Sequence, residues 1–592
     1  MPRPTTSDSS LPQPPFRRLY LGVALLFSVA VYLPAAFFEF AYDDFGQILY
    51  NPQIKSWTLA LTYFRSHVWA QSSNIALYYR PVFMLWLTAN YKLFGLNPLY
   101  WHLAVIGLHL LCCILLYFFI LRVTRNQWVA VVAVFLFGLH PVHVESVAWI
   151  SGATDPLMCV LFLGCLLCYL KQRDSPQQLK ANGWQAASLV LAALAVLAKE
   201  TALIAPALIF SYEWIFHQRG VFGKSRLWSS LRAATPYFAI SALFLVARTL
   251  ALKSATPALT KVGLRSVLMA WPQALAFYGA HVLFPVRLSV FYNLMTVAHP
   301  GWWNFIFPGV AVLAGGAVLC YASWRSQVWA FLSACWAIML VPILNVTLWN
   351  TVENVHDRYL YLPSIVVCAM LASLLSCRTY RRYTPMAVAA LSAIAIGYGV
   401  VTLLELPYWR NDYVLAQRGV VVSPGHPIAP QLMGNALIRQ QRISEAVPYL
   451  LDALKAQPEN VDSLSSLAFC YSEMSALPLA EESVGKAIAL DPAEPRARLL
   501  LGIVRFKQNR LAEAEAEIRR GISLQHVSTG VFLFHYYLGN VLYARRDVLG
   551  AIHEYRSEAL NDPAIDPAVV TAEARISQLQ GQLRVESHRV LQ

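Results

Sequence analysis

Between residues 19 and 405 the chain alternates apolar runs with short polar connectors, a pattern that few architectures can accommodate. The runs fall at 19–41, 99–121, 127–142, 153–170, 183–198, 201–217, 235–252, 302–323, 327–346, 358–377 and 384–405, eleven in all. Each approaches the roughly 20 residues that a helix needs to cross a bilayer. The chain is 57% hydrophobic and 13% charged, against about 25% charged in ordinary soluble proteins. Inside lipid a backbone must satisfy its own hydrogen bonds, so such runs form helices. The sequence predicts an all-α, polytopic membrane domain of about eleven spans, with the lipid bilayer as its first partner.

The formal net charge of +14 invites a nucleic-acid partner, and its distribution argues against one. Residues 427–592 carry 17 Lys and Arg against 19 Asp and Glu, whereas residues 1–426 carry 29 against 13. The basic excess sits in the membrane half, where basic connectors set orientation. "PFRR", "LRVTRNQ", "KQRDSPQQLK", "HQRGVFGKSRLWSSLR", "SWRSQ" and "CRTYRRY" are assigned to the cytoplasmic side. That parity requires 268–285 not to cross, and 81–97 is read the same way. The Pro-rich residues 1–18 read as a disordered cytoplasmic tail, and the first span as retained rather than cleaved. Most of the ten cysteines lie in apolar runs and read as small buried residues rather than a disulfide framework.

After Leu406 the composition changes. From about 427 a 34-residue period appears, the tetratricopeptide pattern of L-G, then A, an apolar residue and P. Its units carry Gly434, Ala446, Leu450 and Pro458; Leu467, Ala468, Ala480 and Pro492; Leu501, Gly502, Ala514 and Ile518; and, after an insertion, Leu538, Gly539, Ala551, Tyr555 and Pro563. Helix hairpins of this kind stack into an α-solenoid with a groove for extended partners. The expected layout is a tail at 1–18, a membrane domain at 19–406, a linker at 407–426, about four repeats at 427–563 and a C-terminal cap at 564–592.

The unusual polar residues cluster in segments expected to emerge on one side. They are "YDDFGQILYNPQ", "HPVHVESVAWISGATDP" (140–156), "AKETALIAP" (198–206) and "NTVENVHDRYLYLPS" (350–364). Asp43 and Asp44 stand beside Tyr42 and Phe45 rather than in a Lys/Glu-rich flank, although acids at a span's end often serve only solvation. Neighbouring side chains point different ways, so one acid suits a general base and the other a supporting role. His140, His143 and Glu145 are candidate metal ligands or orienting groups, against the plainer reading of a polar loop bonded to itself. Arg358, with His356, Asp357 and Tyr361 nearby, suits a lipid-linked phosphate, or else a simple interfacial anchor. Arg80, Lys199 and Glu200 carry the same two readings, and Lys199 and Glu200 are candidates to pair with each other.

In this order the motifs resemble a known family. "YDDFGQILYNPQIKS", "YYRPVFMLWLTANYKLFGLNPLYWHL", "GLHPVHVESVAWISGATDPL", "LAKETAL" and "HDRYLYLPS", followed by the repeats, are similar to the transmembrane and tetratricopeptide-repeat-containing O-mannosyltransferases and their bacterial relatives. The resemblance runs from about residue 19 to 563. It implies a GT-C type membrane fold and sugar transfer from a polyprenyl-phosphate donor on the non-cytoplasmic face. It places the catalytic carboxylate in the Asp43–Asp44 pair; the resemblance does not say which is the base, and Asp43 is the expectation adopted. Arg358, Lys199, His356 and Arg80 are then expected at the donor phosphate. His140, His143, Glu145, Asp155, Glu200 and Tyr361 are expected to orient sugar, acceptor or metal. No cofactor follows with certainty; Mg²⁺ or Mn²⁺ on Asp44 and Glu145 stays open. The array is shorter than in animal relatives, so the acceptor, protein or glycan, is not inherited. A bacterial inner membrane with periplasmic repeats is the expected location, an endoplasmic reticulum membrane with luminal repeats the alternative. A non-enzymatic scaffold and a transporter of lipid-linked sugars are the rival functions.

Overall fold

The computed structural model describes residues 16–68, 78–217, 223–252, 263–292, 297–344, 355–374, 384–524, 533–559 and 567–590. The tail expected to be disordered, the start of segment 350–364, the connector "CRTYRRY" and Pro563 lie largely or wholly outside these residues. The described residues are helical, with no strand among them.

Among the described residues eight helices are long and apolar enough to cross a membrane: Leu19–Phe37, Pro98–Thr124, Ile150–Asp174, Gln178–Ala198, Lys224–Leu252, Trp302–Arg325, Gln327–Leu344 and Pro385–Trp409. A ninth candidate, Gln127–Gly138 with Pro141–Ala148, is bent by 54° at its break. Pro141 causes the break: it has no N–H to donate, and it holds His140 extended at φ −70° and ψ 125°. The other two expected spans are divided. Residues 201–217 split into a turn Glu200–Ile204, a helix Ala205–Tyr212 and a wider turn Glu213–His217. The 358–377 run gives the helix Tyr361–Ser373. The helix Pro81–Phe94 has 14 residues, a length of about 21 Å at 1.5 Å per residue, too short for a 30 Å hydrocarbon core.

Burial sorts these helices. Ile150–Asp174 is 72% buried by its neighbours, whereas Trp302–Arg325 is 6% buried and offers its apolar surface outward. Helix starts are capped where the sequence supplies Asn: Asn97 accepts from Leu99 N–H, and Asn126 from Trp128 and Val129 N–H.

Beyond Trp409 the helix Asp412–Val422 leads into hairpins Ile428–Arg439/Ile443–Ala456, Val461–Glu473/Leu477–Leu490, Pro495–Lys507/Leu511–Ser523 and Phe534–Ala544/Val548–Glu558, and then Pro567–Val590. The repeat glycines let paired helices approach closely. A Cβ on Gly502 would lie 2.4 Å from Ile518 Cγ1, and one on Gly539 would lie 2.6 Å from the Tyr555 ring. The first hairpin is not a pendant module. Ala429, Leu432, Leu437 and Leu450 belong to the same buried cluster as the membrane helices.

Candidate functional site

The polar motifs, distant in sequence, are bonded to one another, and segment 140–156 is the hub. Asp44 is 1% exposed. Its Oδ1 accepts from Ser151 N–H at 2.8 Å and Ser151 Oγ–H at 2.6 Å, and its Oδ2 accepts from Ala41 N–H at 3.1 Å. Glu145 Oε2 accepts from Arg358 N–H at 2.8 Å, and its Oε1 from Arg358 Nη1 at 2.6 Å. Asp155 Oδ1 accepts from Lys199 Nζ at 2.5 Å. Glu200 takes a two-point bond from Arg80, Nε to Oε2 at 3.0 Å and Nη2 to Oε1 at 2.6 Å. Lys199 and Glu200 therefore do not pair with each other. Lys199 is extended at φ −158° and ψ 134°, which sends consecutive side chains apart.

Aromatic rings fill the space between these pairs. The Tyr42 ring lies 5.5 Å from Trp149. The Arg358 guanidinium stands 5.4 Å from the Trp149 ring centre and 5.6 Å from that of Tyr359. Lys199 Nζ is 5.8 Å from the Tyr359 ring centre. The acid turn and the cationic groups thus border one aromatic patch. Gly152 permits the hub to fold back on itself: a Cβ there would lie 2.6 Å from the Glu145 carbonyl oxygen.

The two adjacent acids are differentiated. The backbone turns sharply at Tyr42, which sits at φ 56°, a left-handed conformation rare for a bulky residue. Asp44 then points inward, and burial pushes its carboxyl up to about 7 despite the Ser151 and Ala41 hydrogen bonds. Asp43 stays partly accessible.

The cations are not equivalent. Arg358 and Arg80 keep 16% and 14% of their side chains exposed, whereas Lys199 keeps 3%. Burial lowers the Lys199 ammonium, and Asp155 opposes that shift. Burial alone would raise the Glu200 carboxyl; the Arg80 fork overrides it and holds it at about 2. His356 is placed differently from the arginines. Burial and then Arg358 push its imidazole well below the usual range, so it is neutral. Its Nδ1 lies 3.2 Å from the Val290 carbonyl. A carbonyl only accepts, so the proton is on Nδ1 and Nε2 offers only a lone pair, which disfavours a phosphate.

His140, His143 and Tyr361 lie together. His140 Nε2 lies 2.9 Å from the Val282 carbonyl, and His143 Nε2 lies 2.8 Å from Ser364 Oγ. Tyr361 OH meets His109 Nδ1 at 2.8 Å. These three, with His109 and Phe137, pack as a buried aromatic cluster. The Nε2 atoms of both histidines are engaged elsewhere, and the Glu145 oxygens are taken by Arg358. Among the described residues no group of three or more His, Cys, Asp or Glu is gathered to hold a metal. The oxygens of Asp44 and Glu145 are engaged by Ser151, Ala41 and Arg358, so these residues do not fit a Mg²⁺ or Mn²⁺ site.

Several contributors were not singled out in the sequence. Ser151 and Trp149 lie within the quoted hub motif, where only the ionisable residues drew attention. Tyr292 donates to Asp357 Oδ2 at 2.7 Å, and burial followed by Glu145 raises the Asp357 carboxyl well above its usual range. A small crevice beside them is lined by Glu145, Asp357, Glu405, Tyr408, Trp409 and Arg418, among others.

A family model described as a tetratricopeptide repeat matches residues 474–524. Protein O-mannosyl-transferase TMTC3 of Homo sapiens is 22% identical over 594 residues, covering 90% of this chain and 63% of the relative. Its counterpart from Mus musculus is 24% identical over 604 residues, covering 91% of this chain and 64% of the relative. The chain thus spans just under two thirds of the length of these relatives. Among solved structures, the Archaeoglobus fulgidus oligosaccharyltransferase, tethered with an acceptor peptide, is 14% identical over 73% of this chain and 58% of that one, with a TM-score of 0.39. Along nine tenths of its length, the chain is similar in sequence to the tetratricopeptide-repeat-containing protein O-mannosyl-transferases.

Proposed function

We propose that this chain is a membrane glycosyltransferase of the GT-C type. It moves a hexose, mannose-like, from a polyprenyl-phosphate donor to a hydroxyl of a protein or glycan acceptor, on the non-cytoplasmic side of the membrane. The observation that carries the reading is the bonding of four separated motifs around one acid turn: Asp44 to Ser151, Glu145 to Arg358, Asp155 to Lys199 and Glu200 to Arg80. The names of the similar proteins favour the same reaction. A scaffold has no need of a turn that buries one carboxylate to aim its neighbour.

The chemistry follows from the differentiated acids. Asp43 takes the proton of the acceptor hydroxyl as general base. The acceptor oxygen forms a bond to the anomeric carbon on the face opposite the phosphate. The bond from that carbon to the phosphate oxygen breaks, its electron pair leaves with the polyprenyl phosphate, and the centre is inverted. The leaving group needs no proton, but its charge needs neighbours. Arg358 and Arg80, the more accessible cations, are placed to supply them. Lys199 and Asp155, nearly closed from solvent, position the hub. Asp44 holds the turn rather than the proton. The repeats present the acceptor from the same side of the membrane, a bacterial periplasm under this reading.

The test is transfer by the purified full chain in liposomes, offered a panel of labelled polyprenyl-phosphate hexoses and a Ser/Thr-rich peptide mixture. The expected result is transfer from one donor. No transfer from any donor, with the protein inserted, would leave the scaffold as the better reading; movement of the lipid-linked sugar across the bilayer without transfer would favour the transporter.

A further inference from the structure

The acid turn is held from outside as well as from within. Tyr42 N–H donates to Asp412 Oδ1, and the other oxygen of Asp412 pairs with Arg439 Nη2. Asp412 opens the helix that follows the last span, and Asn411 caps that helix at Val414 N–H. Arg439 closes the first helix of the repeat array. Its guanidinium lies 4.5 Å over the ring of Phe45, the residue after Asp44. Asp412 is 6% exposed, so its charge is compensated by Arg439 rather than by water. The same helix clasps the other side of the site. Ser423 Oγ–H donates to the Phe291 carbonyl at 2.5 Å, and Arg418 Nε to the Leu288 carbonyl at 3.3 Å. That strand of chain carries Val290, which holds His356, and Tyr292, which holds Asp357.

We infer that Asp412 and Arg439 are positioning residues for the transfer reaction: the first tetratricopeptide hairpin completes the active-site turn rather than only recruiting the acceptor. The physical need is local. Tyr42 occupies a left-handed conformation that an unsupported aromatic residue leaves readily. Asp44 secures the Ala41 side of the turn, and Asp412 secures Tyr42. Arg439 keeps Asp412 aimed. Asp43 lies between the two anchors, so its direction depends on both. The inference rests on the proposed glycosyltransferase reading, and the experiment separates the two.

Full-length Arg439→Ala, Arg439→Lys and Asp412→Ala, with Lys455→Ala as an exposed control in the same hairpin, are compared in liposomes. Amide exchange of residues 41–46 is followed by mass spectrometry, and transfer kinetics are measured where the wild type transfers. Loss of a charge-assisted hydrogen bond should speed exchange of the turn by about tenfold or more in Arg439→Ala and Asp412→Ala. Arg439→Lys should restore part of the protection. Transfer should lose kcat with acceptor KM unchanged, whereas a purely acceptor-binding hairpin would raise KM alone. Pairing Asp412→Ala with Arg439→Ala should be non-additive. Unchanged exchange at 41–46, or a change in KM only, overturns the inference. If the wild type transfers nothing, the glycosyltransferase reading fails, while the exchange result still decides whether the hairpin holds the turn.

Discussion

Asp44 offers a contest between two physical effects whose outcome can be measured. Three donors converge on its oxygens, which favours the carboxylate. Burial opposes them and wins, so that the group titrates at about 7 instead of 3.8. A pKa raised on folding means that the folded turn binds more protons than the opened one. The stabilisation is therefore full below about pH 4, falls as pH rises, and is gone above about pH 7. Between about pH 5 and pH 8 the linkage predicts a loss of about 2.7 kcal/mol, or about a hundredfold in the opening equilibrium. The protonated oxygen can donate to Ser151 Oγ while both backbone N–H groups keep their acceptor, so the neutral form costs no bond. The assay is amide exchange at Ala41 and Ser151 across that pH range, corrected for intrinsic rates. Wild-type protection should fall with rising pH, and Asp44→Asn should flatten the profile. Protection that rises with pH would mean that the hydrogen bonds outweigh burial. The division of labour between the two acids would then lose its basis.

Three further outcomes follow from the site. Replacing Arg358 with Met leaves the buried Glu145 without its cation, held only by the backbone N–H of residue 358, which should cost about 3–5 kcal/mol. Glu145→Gln with Arg358→Met should recover most of that in thermal denaturation without recovering transfer. Gly152→Ala forces a Cβ to within 2.6 Å of the Glu145 carbonyl; a destabilisation of about 1–3 kcal/mol is expected, visible as a lowered melting temperature and lost transfer. Gly502→Ala, in the third hairpin, meets Ile518 at 2.4 Å. It should loosen the array by a similar amount in exchange experiments while transfer to a short peptide persists.

How far the sequence was readable depends on the range of the interaction concerned. Apolar runs and the 34-residue period are local patterns, and the long helices and hairpins follow them closely. Pro141 stands in plain sight, yet the apolar run 127–142 reads through it as one span, and the 54° break appears only in the structure. The pairing of charges was not, because it depends on which loops meet. Lys199 and Glu200 are neighbours in sequence, yet an extended Lys199 sends one to Asp155 and the other to Arg80. His140 and His143 share a motif with Glu145, but His143 packs against Tyr361 and Phe137 and His140 against Tyr398. Asp412 follows the last span as one acid among ordinary linker residues. Only the docking of the first hairpin makes it an anchor for Tyr42. Ser151 is illegible in the sequence because a serine in a Gly-containing turn carries no local sign that a buried carboxylate will face it.

The central claim is that Asp43 removes the acceptor proton beside a lipid-linked sugar phosphate. The most direct measurement is single-turnover transfer by wild-type chain and Asp43→Asn in liposomes, with donor bound and acceptor saturating. The account predicts that Asp43→Asn binds the donor as before and slows the transfer step by about 10²–10⁴-fold, the usual range for a lost general base, with an inverted product from the wild type. Transfer by Asp43→Asn at the wild-type rate, or retention of configuration, would contradict it.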